Sequence, residues 1–509
     1  MARANYLLAA VFLIALAAFG RHYHWVEAAN TAERDAFVDK ADLIRQGELP
    51  RDPFRPPLYP LLAAGLAPLA GGTFGAARLI STLAACGLAL AAFGFGRRLG
   101  DRRIALLAMG LTIANANLWI FGVEATTDML FAALAAGALL AGLAYLQRPS
   151  AGAALAAGLA AALGAWVRGN AGLLAPALIL AYLLAPKRAT STGADESGGR
   201  SAAHVALAVG AALLVLLPLW GLRWRDFGSP FHDENWRNLW WKLHAHGDWT
   251  LLEHGPPSSY RRLLLGEPGA VAASTLRELG KFFTSALPGL SGGWWGLPPL
   301  ALAVGAAVRG RRRDELYLLA ALLVFTLGVA AIFFTWGRFM LLWIPIAAAL
   351  SIGACHRLAA KPAAAASGAL VALTLAAAAL SQLPAFVRQH PYGEVAALAP
   401  LDRQLAPGEA LAGTAPFLKR YFQHRYLPLP DETGLAGVDG YGDWCGLERL
   451  LRGARVRYLA VSDVELRQRP RSLLGQGDPP PWLQLVRKDA HAALWRVRDG
   501  AASAGAPCP

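Results

Sequence analysis

Apolar runs of roughly 15 to 22 residues recur along most of the chain, separated by short polar stretches. They fall at 6–20, 76–97, 103–121, 128–146, 151–167, 170–186, 203–222, 290–308, 315–335, 339–356 and 363–385. A helix crossing a bilayer needs about 20 apolar residues, so the pattern predicts eleven transmembrane helices, some of them short. After residue 386 the pattern changes, and short apolar runs alternate with prolines and charges. There the spacing predicts strands at Glu409–Gly413 and Val456–Val461, helices at Pro416–Phe422 and Leu447–Leu451, and a closing hairpin from Leu483–Val486 and Ala493–Val497. The fold class expected is an α-helical polytopic membrane protein with a small C-terminal α/β domain. Its boundaries are 1–386 for the membrane domain, with long loops at 21–75 and 223–289, and 387–509 for the appended domain.

The loops carry charge unequally. Arg97–Arg103, Gln147-Arg148, Lys187-Arg188, Arg309–Arg313 and His356-Arg357 with Lys361 alternate with loops poorer in Lys and Arg. Cytoplasmic loops concentrate these residues, so this set is expected inside. The N-terminus is then cytoplasmic, the C-terminus periplasmic, and the protein belongs in a cell inner membrane. The stretch Pro56 to Ala70 tests the count, since one more span would throw the Arg97–Arg103 loop outside. At about 15 residues with an internal proline it reads as an interfacial or re-entrant helix.

Composition agrees with a bilayer as solvent, with 55% hydrophobic and 16% charged residues. The excess of 48 Lys and Arg over 34 Asp and Glu is dispersed beside apolar runs. That distribution points to membrane lipids as partners and not to nucleic acid. The four cysteines, Cys86, Cys355, Cys445 and Cys508, have no CxxC spacing, which excludes a zinc module or a dense disulfide framework. Cys445 and Cys508 could pair if the tail lies outside the cytoplasm.

Chemistry-bearing residues crowd the loops placed outside. The first holds Glu33, Asp35, Asp39, Asp42, Asp52 and Arg55, and its apolar stripe of Ala36, Phe37, Ala41, Leu43 and Ile44 would lay a helix on the membrane surface. An acid held there suits general-base work on a membrane-borne substrate, and a solvated amphipathic helix is the alternative. The 223–289 loop adds Trp236, Trp240, Trp241 and Trp249 beside His232, Asp233, Glu234, His244 and His246, in no spacing diagnostic of a metal. Its tryptophans could stack on sugar rings or anchor at the interface.

Five segments together resemble the type C glycosyltransferase superfamily, and within it the branch of protein O-mannosyltransferases and lipid A aminoarabinose transferases. They are Glu33 to Ala41 continuing through Gly47-Glu48 to Phe54-Arg55-Pro56-Pro57-Leu58-Tyr59-Pro60; Glu124-Ala-Thr-Thr-Asp128; Trp166-Val-Arg168-Gly-Asn170; Trp220 to Pro230; and Arg338-Phe339 with Pro345. Two departures stand out. Trp224 follows Arg223 where the family has asparagine, and the loop's register favours Glu33 although the family's usual base is an aspartate.

The resemblance implies transfer of a sugar from a polyprenyl-phosphate carrier to an acceptor glycan, lipid or protein on the outer face. Asp35, or Glu33, would be the base, and Glu124 and Asp128 a second acidic site, with Asp128 catalytic. Tyr59 would contact substrate, and Arg55, Arg168, Arg223 and Arg338 would hold the phosphate, since guanidinium matches phosphate oxygens as a planar fork. No cofactor is implied. Each arginine could instead snorkel to the interface, but Arg338 stands isolated between two apolar runs, an expensive position for an idle charge. Two rival readings are a transporter or flippase of a lipid-linked saccharide, and an envelope ligase or polymerase using diphosphate-linked donors. The chain lacks the internal repeats common in transporters.

Overall fold

A computed structural model describes residues 3–23, 37–185, 196–244, 258–359 and most of 393–498, with a few positions between 373 and 381. The apolar runs form helices: α1 (Arg3–Tyr23), the short α2 (Phe37–Arg45) and α3 (Leu58–Leu66), then α4 (Thr73–Leu99), α5 (Arg102–Ile113), α6 (Ala116–Val123), α7 (Thr127–Gln147), α8 (Ala151–Val167), α9 (Ala175–Leu184) and α10 (Glu196–Phe227). Next come α11 (Trp236–His244), α12 (Tyr260–Gly266), α13 (Pro268–Lys281), α14 (Leu287–Ser291), α15 (Leu297–Arg309), α16 (Arg313–Ile332) and α17 (Trp343–Ala359). Among the described residues four helices are long and apolar enough to cross a membrane, and five if the bent pair α5–α6 counts as one.

Three of the expected runs are interrupted, each for a local reason. The 103–121 run bends by 62° between α5 and α6. Asn115 sits at the break, caps α6 by accepting from the Asn117 N–H, and donates its amide to the carbonyls of Gly289 and Leu290 at 3.1 and 3.0 Å. A capping side chain competes with the helical ladder, so one asparagine suffices to break the span. The 290–308 run is split by Gly292 and Gly293, whose φ values of 97° and 89° only glycine adopts freely. The 170–186 run opens as a 3-10 turn, Gly169–Leu174, before α9. The 363–385 run lies largely outside the described residues.

By density of contact the chain separates into two compact units. The larger holds residues 1–21, 37–235 and 267–388, with small residues of α4, α7 and α8 in close contact. The smaller holds 22–36, 236–266 and 389–509. In it α11 and α12 pack Trp236, Leu239 and Leu263 together.

The smaller unit also contains a five-stranded sheet in the order β2-β1-β3-β5-β4, flanked by α18 (Gly393–Asp402) and α19 (Trp444–Gly453). Its strands are β1 (Ala410–Gly413), β2 (Arg425–Pro428), β3 (Val456–Ser462), β4 (Leu483–Lys488) and β5 (Ala492–Val497). β1 pairs parallel with β2 and β3, while β5 pairs antiparallel with β3 and β4. Alternate residues face opposite sides: Leu411, Ala460 and Leu494 join Leu398 and Tyr426, whereas Leu459, Val461 and Trp495 join Leu447, Leu451 and Trp482. β2 has no alternating signal of its own, because Leu427-Pro428 reads as a loop, yet a proline at the end of an edge strand is tolerated. Cys445 is disulfide-bonded while Cys86 and Cys355 are free thiols. The helix read at Pro416–Phe422 falls mostly, and Cys508 entirely, outside the described residues.

Candidate active site

The loop joining α2 to α3 is tied down by Asp52. One carboxylate oxygen accepts the backbone N–H groups of Phe54 and Arg55 at 2.8 and 3.0 Å, and the other pairs with Lys40 of α2. Burial would raise the pKa of Asp52, but the nearby charges of Lys40 and Arg55 and these hydrogen bonds outweigh it and hold the carboxyl below its ordinary value. Lys40 and Arg55 both lie over the Phe37 ring, at 5.9 and 5.8 Å. Phe37 in turn meets Tyr59 edge to face at 5.5 Å.

Tyr59 is completely buried, donates to the Ala77 carbonyl at 2.7 Å and pairs with the Ser81 hydroxyl at 3.0 Å. Its pKa is driven up chiefly by burial, and the same Ser81 hydroxyl reaches the Thr126 carbonyl at 3.3 Å, in the connection that carries Glu124 and Asp128. Those two acids flank the short connection from α6 to α7 and are 3% and 2% exposed. Thr126 caps α7, and its hydroxyl donates to Asp128 at 2.6 Å. An acid in the first turn also meets the positive end of the helix.

Across from α7, the end of α8 delivers Arg168, which pairs with the other oxygen of Asp128. The Arg168 guanidinium stacks on Phe339 at 4.5 Å, and Arg338 stacks on the same ring at 4.6 Å and on Trp336 at 5.5 Å. Two cations thus share one ring, an arrangement attractive through the ring's quadrupole but repulsive between the charges. The Arg338 Nε is buried without a hydrogen-bond partner. A buried unpaired donor is costly unless a ligand completes it.

A third segment, 232–235, is tied to the first loop. Asn235 donates to the Phe54 carbonyl at 2.9 Å, and Glu234 N–H to the Pro53 carbonyl at 3.2 Å. A side chain added at Gly169, next to Arg168, would touch Asn235 and Asp233 at 3.8 Å. Arg223, near the end of α10, gives one N–H to the neutral His232 carbonyl at 2.5 Å. A solvent-open cleft lies between these parts, lined by Lys40, Arg55 and Arg223, by Asp52 and Asp226, and by the apolar Phe37, Leu219, Leu222 and Phe227.

Tyr59, the Glu124–Asp128 connection and the half-buried Arg168 are thus linked through Ser81 and the Asp128 ion pair, with Arg338 joined to them through Phe339, while Arg55 and Arg223 line the cleft. Glu33 and Asp35 lie outside the described residues, as do His246 and Trp249. Lys40, Asn235 and Thr126 carried no assigned role from sequence. Lys40 could have been found, since it falls three residues after Phe37 on the same helical face. Among the described residues no three His, Cys, Asp or Glu side chains are grouped to hold a metal.

The model of the family described as dolichyl-phosphate-mannose-protein mannosyltransferase matches residues 54–220, a segment containing Arg55, Tyr59, Glu124, Asp128 and Arg168. The fold is similar to that of ArnT from Cupriavidus metallidurans bound to undecaprenyl phosphate, with a TM-score of 0.56, 15% identity, and 96% of this chain and 98% of that one covered. ArnT in the apo state gives 0.55 at 16% identity over 97% and 98%. The Archaeoglobus fulgidus oligosaccharyltransferase AglB, in complex with an inhibitory peptide and a dolichol-phosphate, gives 0.51 at 12% identity over 89% of this chain and 69% of that one. No curated protein matches the chain in sequence. Over nearly its whole length the chain has the type C glycosyltransferase fold.

Proposed function

We propose that the protein moves a sugar from a polyprenyl-phosphate carrier to an acceptor hydroxyl at the periplasmic face of the inner membrane. The observation that carries this is the cleft where Lys40, Arg55 and Arg223 meet an apolar wall. Three cations face two carboxylates there, leaving a net positive charge suited to a phosphate. The wall comes from Leu219, Leu222 and Phe227 of α10, whose apolar segment is only 11% buried against the rest of the chain. A phosphate head in the cavity with its hydrocarbon chain along α10 satisfies both parts. ArnT, similar in fold over nearly the whole chain, was solved bound to undecaprenyl phosphate.

In the reaction the bond from the anomeric carbon to the phosphate oxygen breaks as the acceptor oxygen attacks from the opposite face, inverting the centre. The acceptor proton passes to a carboxylate, assigned to Asp35 with Glu33 as the alternative. Arg55, Arg223 and Arg338 stabilise the polyprenyl phosphate that leaves. Asp128, already paired with Arg168, keeps that guanidinium in place.

The test incubates purified protein with radiolabelled polyprenyl-phosphate sugars and membrane acceptors. Asp35→Asn is expected to abolish transfer with expression intact; full activity there with an inactive Glu33→Gln moves the base to Glu33. Absence of transfer from every donor, with lipid-linked sugar instead crossing liposomes, sinks the transferase reading in favour of a transporter.

A further inference from the structure

Arg338 sits in the turn Gly337–Met340, separated from Thr335 only by Trp336. Thr335 is 3% exposed, and both its N–H and its hydroxyl donate to one distant residue, Glu278 of α13. The Glu278 carboxylate accepts the Thr335 N–H at 3.1 Å, and the Glu278 carbonyl accepts the Thr335 hydroxyl at 2.8 Å. The other carboxylate oxygen accepts from Lys281 at 2.8 Å. Glu278 itself is 3% exposed, which is unusual for a glutamate, a residue mostly found exposed. Desolvating a carboxylate is costly, and one that serves only to join two chain segments would be replaceable by apolar packing.

The neighbouring geometry indicates what the join serves. Trp336, directly after Thr335, stacks on Phe339, and the Arg338 guanidinium lies over both rings. With its Nε unpaired, Arg338 is oriented only by those rings and by the backbone that presents it. That backbone begins at the residue Glu278 grips. We infer that Glu278 is a positioning residue for the donor phosphate: its clasp on Thr335 joins α13 to the turn that presents Arg338 and so aims that guanidinium. The inference rests on the donor-phosphate reading of Arg338 given above.

The experiment measures direct binding of undecaprenyl phosphate to the full chain in lipid nanodiscs, together with thermal unfolding. Glu278→Leu, which removes the acceptor, is expected to weaken binding about tenfold at unchanged folding. Glu278→Gln keeps a carbonyl oxygen for the Thr335 N–H and is expected to stay within about threefold of the wild type. Thr335→Val, which loses only the hydroxyl, is expected to fall about threefold and serves if Glu278→Leu does not fold.

A clasp that acts through Arg338 has nothing left to act on once Arg338 is gone. Glu278→Leu in an Arg338→Ala background should therefore bind no worse than Arg338→Ala alone, and likewise for Thr335→Val. Losses that multiply, or wild-type affinity in Glu278→Leu, overturn the inference while leaving the donor reading intact. Failure of the wild type itself to bind undecaprenyl phosphate overturns the donor reading, and the clasp's function with it.

Discussion

A buried acid paired with arginine stands at each end of α7 and α16, and the two pairs do different things. At one end Asp128, its side chain 3% exposed, meets Arg168 at 19%. At the other, about 30 Å away along the 21 residues of α7, Gln147 bonds Asp314 at 2.6 Å, and the adjacent Glu315 meets Arg357 and Arg312. The Glu315 side chain is 4% exposed and its arginines 22% and 44%, so by burial alone the ends are indistinguishable. What separates them is completion. Glu315 is saturated by two cations of its own neighbourhood, a closed structural knot. Arg168 shares a ring with a second arginine whose Nε is unpaired, and Asn235 links its neighbour Gly169 to the loop of a cleft lined by three more cations. An ion pair marks where a helix end is fastened; an unfinished one marks where something else binds.

The largest expected effect breaks that contrast at the unfinished end. Arg338→Ala should lower sugar transfer on the order of 10³-fold, as removal of one preorganised donor to a developing anion does, while thermal unfolding stays near the wild type. Equal losses of activity and stability would make Arg338 a structural residue like those around Glu315. At the closed end the outcome should be inverted. Glu315→Leu strands Arg357 and should cost about 3–5 kcal/mol of stability, read as an earlier unfolding transition, with undecaprenyl phosphate affinity unchanged.

Much of this contrast is carried by positions that sequence order separates. The helices could be read because an apolar run of that length has few other solutions, and Arg338 stood out because a charge between two such runs is costly. The strands of the smaller unit followed from short apolar runs at Val456–Val461 and Ala493–Val497, the first of them β-branched at both ends, set among polar and turn-forming residues. The pairing of Arg168 with Asp128, 40 residues apart, and of Thr335 with Glu278, 57 apart, follows from tertiary packing, on which a single sequence carries no periodic signal. Breaks at Asn115 and at Gly292-Gly293 sit inside runs whose hydropathy is continuous, so composition hid them while local hydrogen bonding and positive φ produced them.

Asp52 sharpens the comparison at intermediate size. It is the one acid of the cavity fixed by both a lysine and two backbone N–H groups, and Asp52→Asn should cost about 1–3 kcal/mol and loosen the loop that carries Arg55. Because its folded pKa lies below the ordinary 3.8, its stabilisation is complete above that pH and is lost as pH falls through the lower folded value. Unfolding followed from pH 6 downward should show a destabilisation of the wild type below about 3.8 that Asp52→Asn lacks. A parallel pH dependence in both proteins would assign the acid lability to another carboxylate.

The smallest effect is expected at the exposed Arg98, which donates to the Gln147 side chain at 2.9 Å on the same end as Glu315. Solvent competes for both groups, so Arg98→Gln should change stability by no more than about 1 kcal/mol and transfer not at all. The measurement matters because Arg98 belongs to the arginine cluster that sets the expected orientation. If charge there governs insertion and not packing, Arg98→Gln should leave the purified protein unchanged, while neutralising Arg97, Arg98, Arg102 and Arg103 together should lower the correctly oriented fraction in cells. A stability loss in the single variant as large as that of Glu315→Leu would instead make Arg98 part of the closed knot.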